Sequence, residues 1–230
     1  MTGVPPDQEV REIANRRESW TDGSKGEAFN MAFWCRDALA ATESTGGLAV
    51  VEIGVRRGGM SAIFCDLVER TPVPGRIVLS VDPWGDAPYF DGVSRPQPGP
   101  LRYGEDLYAE ARRLLAESPR SAVFRMPSED FIAHVLPTYR WWFDGRGFPT
   151  SRRFVAFAWV DGQHENTHLV QDVAGLVPFV APGGTIALDN VRGLPEGVAL
   201  LAASPRLGLV RGLHWASRVS DRECDLFTVP

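Results

Sequence analysis

Lysine is nearly missing from this chain of 230 residues: of its 24 basic side chains only Lys25 is lysine, and the rest are arginine. A phosphate loop needs Gly-Lys-Ser/Thr after a strand, a short-chain dehydrogenase needs a Tyr-x-x-x-Lys pair, and a pyridoxal enzyme needs a Schiff-base lysine. None of these has a lysine where it would be needed. Positive charge is not in excess either: the net charge is −5 and the pI about 5.4, the wrong sign for a surface that binds nucleic acid through counterion release. Cys35, Cys65 and Cys224 are odd in number, widely spaced and without a C-x-x-C, which excludes a disulfide framework and a zinc knuckle. No apolar run approaches the roughly 20 residues a bilayer demands. Met1 to Glu9 is polar and proline-bearing, with no basic-then-apolar leader, so a cytoplasmic protein with no membrane partner is expected.

What is present is a steady alternation. Phe29 to Ala41 has helical apolar spacing, and Leu48 to Ile53 is a short β-branched run between Gly47 and Gly54, as a strand buried on both faces would be. Helices then fall near Gly59 to Arg70, Leu107 to Glu117, Ser128 to Leu136, His164 to Val180 and Glu196 to Ala203. Strands fall near Arg76 to Val81, Ala122 to Arg125, Phe154 to Val160, Thr185 to Leu188 (after a Pro182-Gly-Gly184 turn), Leu207 to Leu213 and Asp225 to Val229. This beat predicts one α/β domain over residues 1–230 with a doubly wound, Rossmann-like sheet of about seven strands and helices on both faces. Two stretches interrupt it, 83–102 and 137–153, both rich in Pro, Gly, Arg and aromatics and both expected to shape an acceptor pocket.

Chemistry concentrates at the strand exits. Glu52-Ile-Gly-Val-Arg-Arg-Gly-Gly-Met-Ser61 joins the first strand to its helix, where Gly54 permits a tight turn and Gly58 and Gly59 let the helix N-terminus approach a ligand. The spacing differs from the dinucleotide fingerprint G-x-G-x-x-G. Asp82 ends the second strand and can accept hydrogen bonds from a ribose diol, Trp84 offers an aromatic face, and Ser128-Glu129 offers a hydroxyl and acceptors near an adenine. Core packing for Trp84 and a helix N-cap for Ser128 are the alternatives.

These residues resemble class I S-adenosylmethionine-dependent methyltransferases from about Asp22 to the C-terminus. The shared features are Glu52-Ile-Gly54, the acidic Asp82 and the Pro182-Gly-Gly184 turn. The resemblance implies the order 3-2-1-4-5-7-6 with the last strand antiparallel. It also implies S-adenosylmethionine as cofactor, held by Glu52, Gly54, Val55, Arg56, Gly58, Ser61, Asp82, Trp84, Ser128, Glu129 and Asp161.

Asp161-Gly-Gln-His164 leaves the fourth strand and Asp189-Asn190 the fifth. Adjacent parallel strands lie about 4.8 Å apart, so Asp161, Asp189 and Asn190 converge beside the cofactor crevice, an oxygen set that suits Mg²⁺. Here the chain is similar to metal-dependent O-methyltransferases of the catechol kind, including Asp22-Gly-Ser-Lys-Gly26, which looks like their lid segment and makes residues 1–41 a lid and helix. His164 stands where those enzymes carry a lysine. In that respect, and in Asp82-Pro-Trp84, the sequence resembles the bacterial macrolide and rhamnosyl sugar O-methyltransferases, whose base is a histidine or aspartate.

The expected reaction moves a methyl group to a hydroxyl of a small natural product or sugar, in antibiotic or other natural-product biosynthesis. Mg²⁺ assists and His164, with Asp161, takes the proton; imidazole has an ordinary pKa of about 6.5. His168 competes for the base role, and Lys25, Trp141 and Trp142 are candidate substrate contacts. The competing readings are a metal-independent O- or N-methyltransferase, an NAD-binding oxidoreductase and a noncatalytic nucleotide-binding module; for the last two the convergence of Asp161 with Asp189-Asn190 has no purpose. The Phe29 to Trp34 surface suits a lid or a contact in a homodimer.

Overall fold

The structure is a computed structural model that describes residues 4–17, 21, 25–71, 73–85, 104–139, 153–189, 191–204, 208–209 and 225–228. Its frame is a parallel sheet made of β1 (Ala49–Ile53), β2 (Ile77–Asp82), β3 (Ser121–Arg125), β4 (Val155–Val160) and β5 (Val180–Leu188), in the order β3-β2-β1-β4-β5. Beyond β5 lie β7 (Asp225–Thr228), antiparallel to it, and the two-residue β6 (Gly208–Leu209). All residues of β1, β2 and β4 are buried, which explains why the sequence shows near-continuous aliphatic runs there rather than alternation.

Successive side chains of β1 enter different cores. Val50 joins Phe64, Phe157 and Trp159 on one face, while Ala49, Val51 and Ile53 join Phe131, Leu169 and Val173 on the other. The first face is covered by α1 (Asp7–Arg17), α2 (Lys25–Ala41) and α3 (Gly59–Glu69), with α4 (Glu105–Leu115) beside α3. The second is covered by α5, which starts at Ser128–Asp130 and continues as a π-helical turn over Phe131–Val135, and by α6 (Asn166–Leu176) and α7 (Pro195–Ala202). Among the described residues no helix is long and apolar enough to cross a membrane.

Three differences from the sequence reading have local causes. Helix α1 escapes notice because only Val10, Ile13 and Ala14 are buried in an otherwise charged segment. The helix expected from His164 begins instead at Asn166 and ends at Leu176, where a 3₁₀ turn over Val177–Phe179 carries Pro178. Pro182-Gly-Gly184 is not a turn ahead of the fifth strand but an outward bulge within it. Val155 pairs with Val180 and Phe157 with Thr185, so the extra residues loop out and leave Pro182 and Gly183 exposed.

The edge opposite the strand exits depends on a buried cation. Arg76 is 1% exposed, and its guanidinium donates to the Leu39 carbonyl in the last turn of α2 (2.6 Å) and to the Gly47 carbonyl ahead of β1 (3.0 Å). Burial holds its pKa below the usual arginine value. A positive charge at a helix C-terminus is favourable, and the two carbonyls have lost water. Arg76→Ala is therefore expected to lower the unfolding free energy in urea by about 3 kcal/mol. A loss below about 0.5 kcal/mol would show that those carbonyls find other partners.

Candidate active site

The chain leaves β1 through Gly54, whose φ is +89°. A Cβ there would stand 1.9 Å from the Asp161 carbonyl oxygen, so the β1 and β4 exits touch backbone to backbone and only glycine fits. The Gly54 N–H donates to Val81 (2.9 Å) and the Asp161 N–H to Ile53 (2.8 Å), which extends the ladder one residue past each strand. Gly58 also has positive φ, but its missing Cβ faces Ala111 of α4 at 3.2 Å, so it serves helix packing rather than access for a ligand.

Asp82 organises the turn. It is 3% exposed, and its two oxygens accept the backbone N–H groups of Arg56 and Trp84 (both 2.9 Å), with a third bond from the Val55 N–H. Burial pushes this carboxyl above its ordinary pKa, and the three N–H bonds pull it back. Of the roughly four acceptor sites on a carboxylate, about one is left to meet a ribose hydroxyl. Arg56 and Trp84 both adopt left-handed backbone, with φ of 51° and 39°, a conformation that costs about 1 kcal/mol or more for such side chains. The Trp84 indole donates to the Arg56 carbonyl (2.8 Å) and packs on Tyr108, with centroids 5.0 Å apart. At 2% exposure it belongs to the core, so no open aromatic face is presented to a ligand here.

Glu52 lies beneath this turn. Its carboxyl accepts the Ser61 hydroxyl, and Ser61 in turn meets Ser80 at 2.6 Å. Burial holds Glu52 well above its ordinary pKa; the Ser61 bond opposes this, while Asp161 and Asp82 add to it. Glu52 and Ser61 thus form a buried polar layer under the glycine turn rather than a surface open to a ligand.

Across the crevice the exits of β4 and β5 converge. His164 Nε2 stands 3.2 Å from Asp161 Oδ1 and 4.0 Å from Asp189 Oδ2, and one donor atom from each of the three lies within 4.8 Å of the others. Asp189 and His164 are buried, and Asp161 is partly exposed. The Asp189 N–H donates to Val160 (3.0 Å), so strand pairing fixes its position. Asp161 and Asp189 offer carboxylate oxygens of the kind a small divalent ion takes, their donor atoms within 4.8 Å of each other.

The other candidates are dispersed. His164 lies in the loop ahead of α6, whereas His168 lies on α6 and pairs with Glu165 at 2.9 Å, so the two do not share a helix. Ser128 is half-buried and Glu129 exposed at the start of α5, beyond the β3 exit. Val55 is buried, Arg56 is exposed, and Lys25 opens α2. Asn190, Trp141 and Trp142 lie outside the described residues, as do most of the two insertions. One group escaped the sequence reading: Asp172, a buried carboxyl on α6 whose pKa burial raises to about 6. Its signal was an acidic residue on the inward stripe that Leu169, Val173 and Leu176 define.

This geometry has known counterparts. Residues 51–191 match the model of a family described as a methyltransferase domain, and the chain belongs to that family. Among solved structures it is similar to an O-methyltransferase from Bacillus cereus in complex with SAH (14% identity, TM-score 0.57, covering 99% of this chain and 93% of that one). It is also similar to the O-methyltransferase TomG from Streptomyces achromogenes, involved in tomaymycin synthesis and solved with SAM (14%, 0.58, 98% and 91%). A third is the calicheamicin methyltransferase CalS11 (15%, 0.56, 95% and 91%). At these identities the likeness is one of fold, that of class I S-adenosylmethionine-dependent methyltransferases. No curated protein matches the sequence.

The raised Glu52 pKa has a sign that can be tested. The folded state holds this proton more tightly than the unfolded state, so folding loses stability as pH rises above the ordinary glutamate value of 4.5. Glu52→Gln keeps an acceptor for Ser61 and removes that dependence. Its melting temperature is expected to exceed the wild-type value at pH 8 and to converge with it near pH 4. A variant less stable than wild type at pH 8 would show that the charged carboxylate is the preferred partner of Ser61.

Proposed function

We propose that this methyltransferase moves the methyl group of S-adenosylmethionine to a hydroxyl of a small molecule, a natural product or a sugar moiety, with a divalent cation such as Mg²⁺ at the β4 and β5 exits. The observation that carries the reading is the convergence of Asp161, His164 and Asp189 beside the glycine turn of β1. The natural-product acceptor is supported by the names of TomG and CalS11 and by the resemblance of Asp161-Gly-Gln-His164 to the macrolide and rhamnosyl sugar enzymes. Electrostatics favour the cofactor too: Asp82 and Asp161 both lie close enough to act on Glu52, and carboxylates at the strand exits attract a sulfonium.

S-adenosylmethionine supplies an electrophilic methyl on sulfur, and the cation supplies a Lewis acid for the acceptor oxygen. Asp161 and Asp189 would hold the cation, with Asn190 as the neighbouring oxygen ligand expected from the sequence. His164, whose Nε2 faces the Asp161 carboxylate, would take the hydroxyl proton on its other ring nitrogen, Nδ1. The turn held by Asp82 would hold the cofactor at the strand exits, beside the residues that receive the acceptor.

Calorimetry with S-adenosylhomocysteine and turnover of a panel of hydroxylated acceptors test this directly. Wild type is expected to bind S-adenosylhomocysteine, to lose turnover in EDTA and to regain it with Mg²⁺. Asp161→Ala/Asp189→Ala is expected to bind the ligand yet fail to respond to Mg²⁺. His164→Ala should reduce kcat by about 10²- to 10⁴-fold. Equal turnover in EDTA would leave His164 to carry the acid–base chemistry without a metal, and binding of NAD in place of S-adenosylhomocysteine would remove the reading altogether.

A further inference from the structure

Of the three side chains that converge at the β4 and β5 exits, Asp161 and Asp189 are placed by strand pairing, whereas His164 is carried by a loop. That loop, residues 162–165, leaves Asp161, whose N–H is bonded to Ile53 (2.8 Å), and ends at Asn166, the first residue of α6. The imidazole stands 3.2 Å from Asp161 Oδ1 and 4.0 Å from Asp189 Oδ2, a setting that a loop keeps when both of its ends are held. The strand ladder holds the first end. The second is held from outside α6.

The hold comes from α7, a helix that starts without a cap of its own. Leu194 stands at its N-cap and has no side-chain acceptor, Pro195 has no N–H, and the Val198 N–H donates to the Leu194 carbonyl (3.0 Å). The Gly197 N–H, buried at the third position of the helix, donates instead to Asn166 Oδ1 (2.8 Å). A side chain two residues past His164 thus does across two helices what Ser, Asn or Asp usually does within one. Close approach makes this possible: a Cβ at Gly197 would stand 3.1 Å from Asn166 Oδ1, 3.2 Å from the Asn166 carbonyl oxygen and 3.2 Å from Leu169 Cδ2. The connection from β5 to α7 is thereby tied at both ends as well, at Asp189 to Val160 (3.0 Å) and at Gly197 to Asn166.

We propose that Asn166 is a positioning residue for His164: by capping α7 from the start of α6 it locks the β4 loop to the β5 loop and sets the approach of the imidazole to Asp161 and Asp189. The inference rests on the reading of His164 as the base and deepens it, since it names what aims that base. The Asn166 oxygen is engaged by the Gly197 N–H, so its loss misaims proton transfer and leaves cofactor binding alone. The contact uses an oxygen acceptor, so a carboxylate of the same reach replaces the carboxamide, in the favourable field of a helix N-terminus.

The test is a proton–carbon correlation spectrum of the imidazoles, which reports the setting of His164 without turnover in a chain with four histidines; the His164→Ala spectrum assigns its peak. Asn166→Ala is expected to shift or broaden that peak and to lower kcat about tenfold, with KM for S-adenosylmethionine unchanged. Asn166→Asp should restore both. Val198→Ala weakens the packing of α7 but keeps the Asn166 bond, and should leave the peak and kcat at wild-type values; the same change there as in Asn166→Ala would mean that lost helix stability moves His164, and would overturn the inference. Gly197→Ala raises the helix propensity of α7 while its methyl crowds Asn166, so it should shift the same peak in a folded protein and covers the case in which Asn166→Ala fails to fold. A wild-type peak or wild-type kcat in Asn166→Ala, a wild-type peak in Gly197→Ala where Asn166→Ala does not fold, or no recovery in Asn166→Asp would each overturn the inference while leaving the proposed function intact. If wild type turns over no hydroxylated acceptor, the proposed function fails, and the His164 peak still decides whether Asn166 positions the imidazole.

Discussion

The site depends on the contact between two strand exits at Gly54. Any side chain at that position would run into the Asp161 carbonyl, so the missing Cβ lets β1 and β4 remain hydrogen-bonded one residue beyond the sheet. That contact fixes the backbone of Asp161, and the Asp189 N–H bond to Val160 fixes the next strand in the same way. The two carboxylates of the candidate metal centre, Asp161 and Asp189, are therefore placed by strand pairing, which is how a rigid site is built. Among the described residues, the two non-glycine residues with left-handed backbone, Arg56 and Trp84, are held at the same level by a single carboxylate, Asp82.

Electrostatics set the second constraint. Carboxyl groups from β1, β2 and β4 are gathered where water is scarce, and burial raises the proton affinity of both Glu52 and Asp82. The protein offsets this with the Ser61 hydroxyl at Glu52 and, at Asp82, with backbone N–H groups and the charge of Arg56. Arg76, the deeply buried cation, lies at the opposite edge and bonds to carbonyls. The strand exits consequently keep an acidic character suited to cationic ligands, a sulfonium and a divalent metal among them.

Much of this was legible in the sequence. The runs at Ala49–Ile53 and Val155–Val160 read as buried parallel strands because aliphatic side chains are needed on both faces, and the five-strand order is the one the methyltransferase resemblance implied. Asp161 and Asp189 could be brought together from their positions after adjacent strands. Less visible were features that depend on tertiary contact. Helix α1 has too few apolar residues to announce itself, and the Pro182-Gly-Gly184 bulge looks like a turn unless the pairing of Val155 with Val180 is known. Whether Trp84 faces a ligand or the core is decided by Tyr108 and the Arg56 carbonyl, and the purpose of Gly58 by Ala111, residues on other elements. Asp172 was hidden because a helical acidic residue normally faces solvent.

The central claim is that one crevice, between the exits of β1, β2, β4 and β5, holds both cofactor and cation. Anomalous diffraction from a crystal grown with S-adenosylhomocysteine and Mn²⁺ tests it in one measurement. The account predicts an ion bonded to Asp161 and Asp189, with the ribose of the ligand beside Asp82. An ion bound elsewhere, or a ligand lying outside the Gly54 turn, would contradict it.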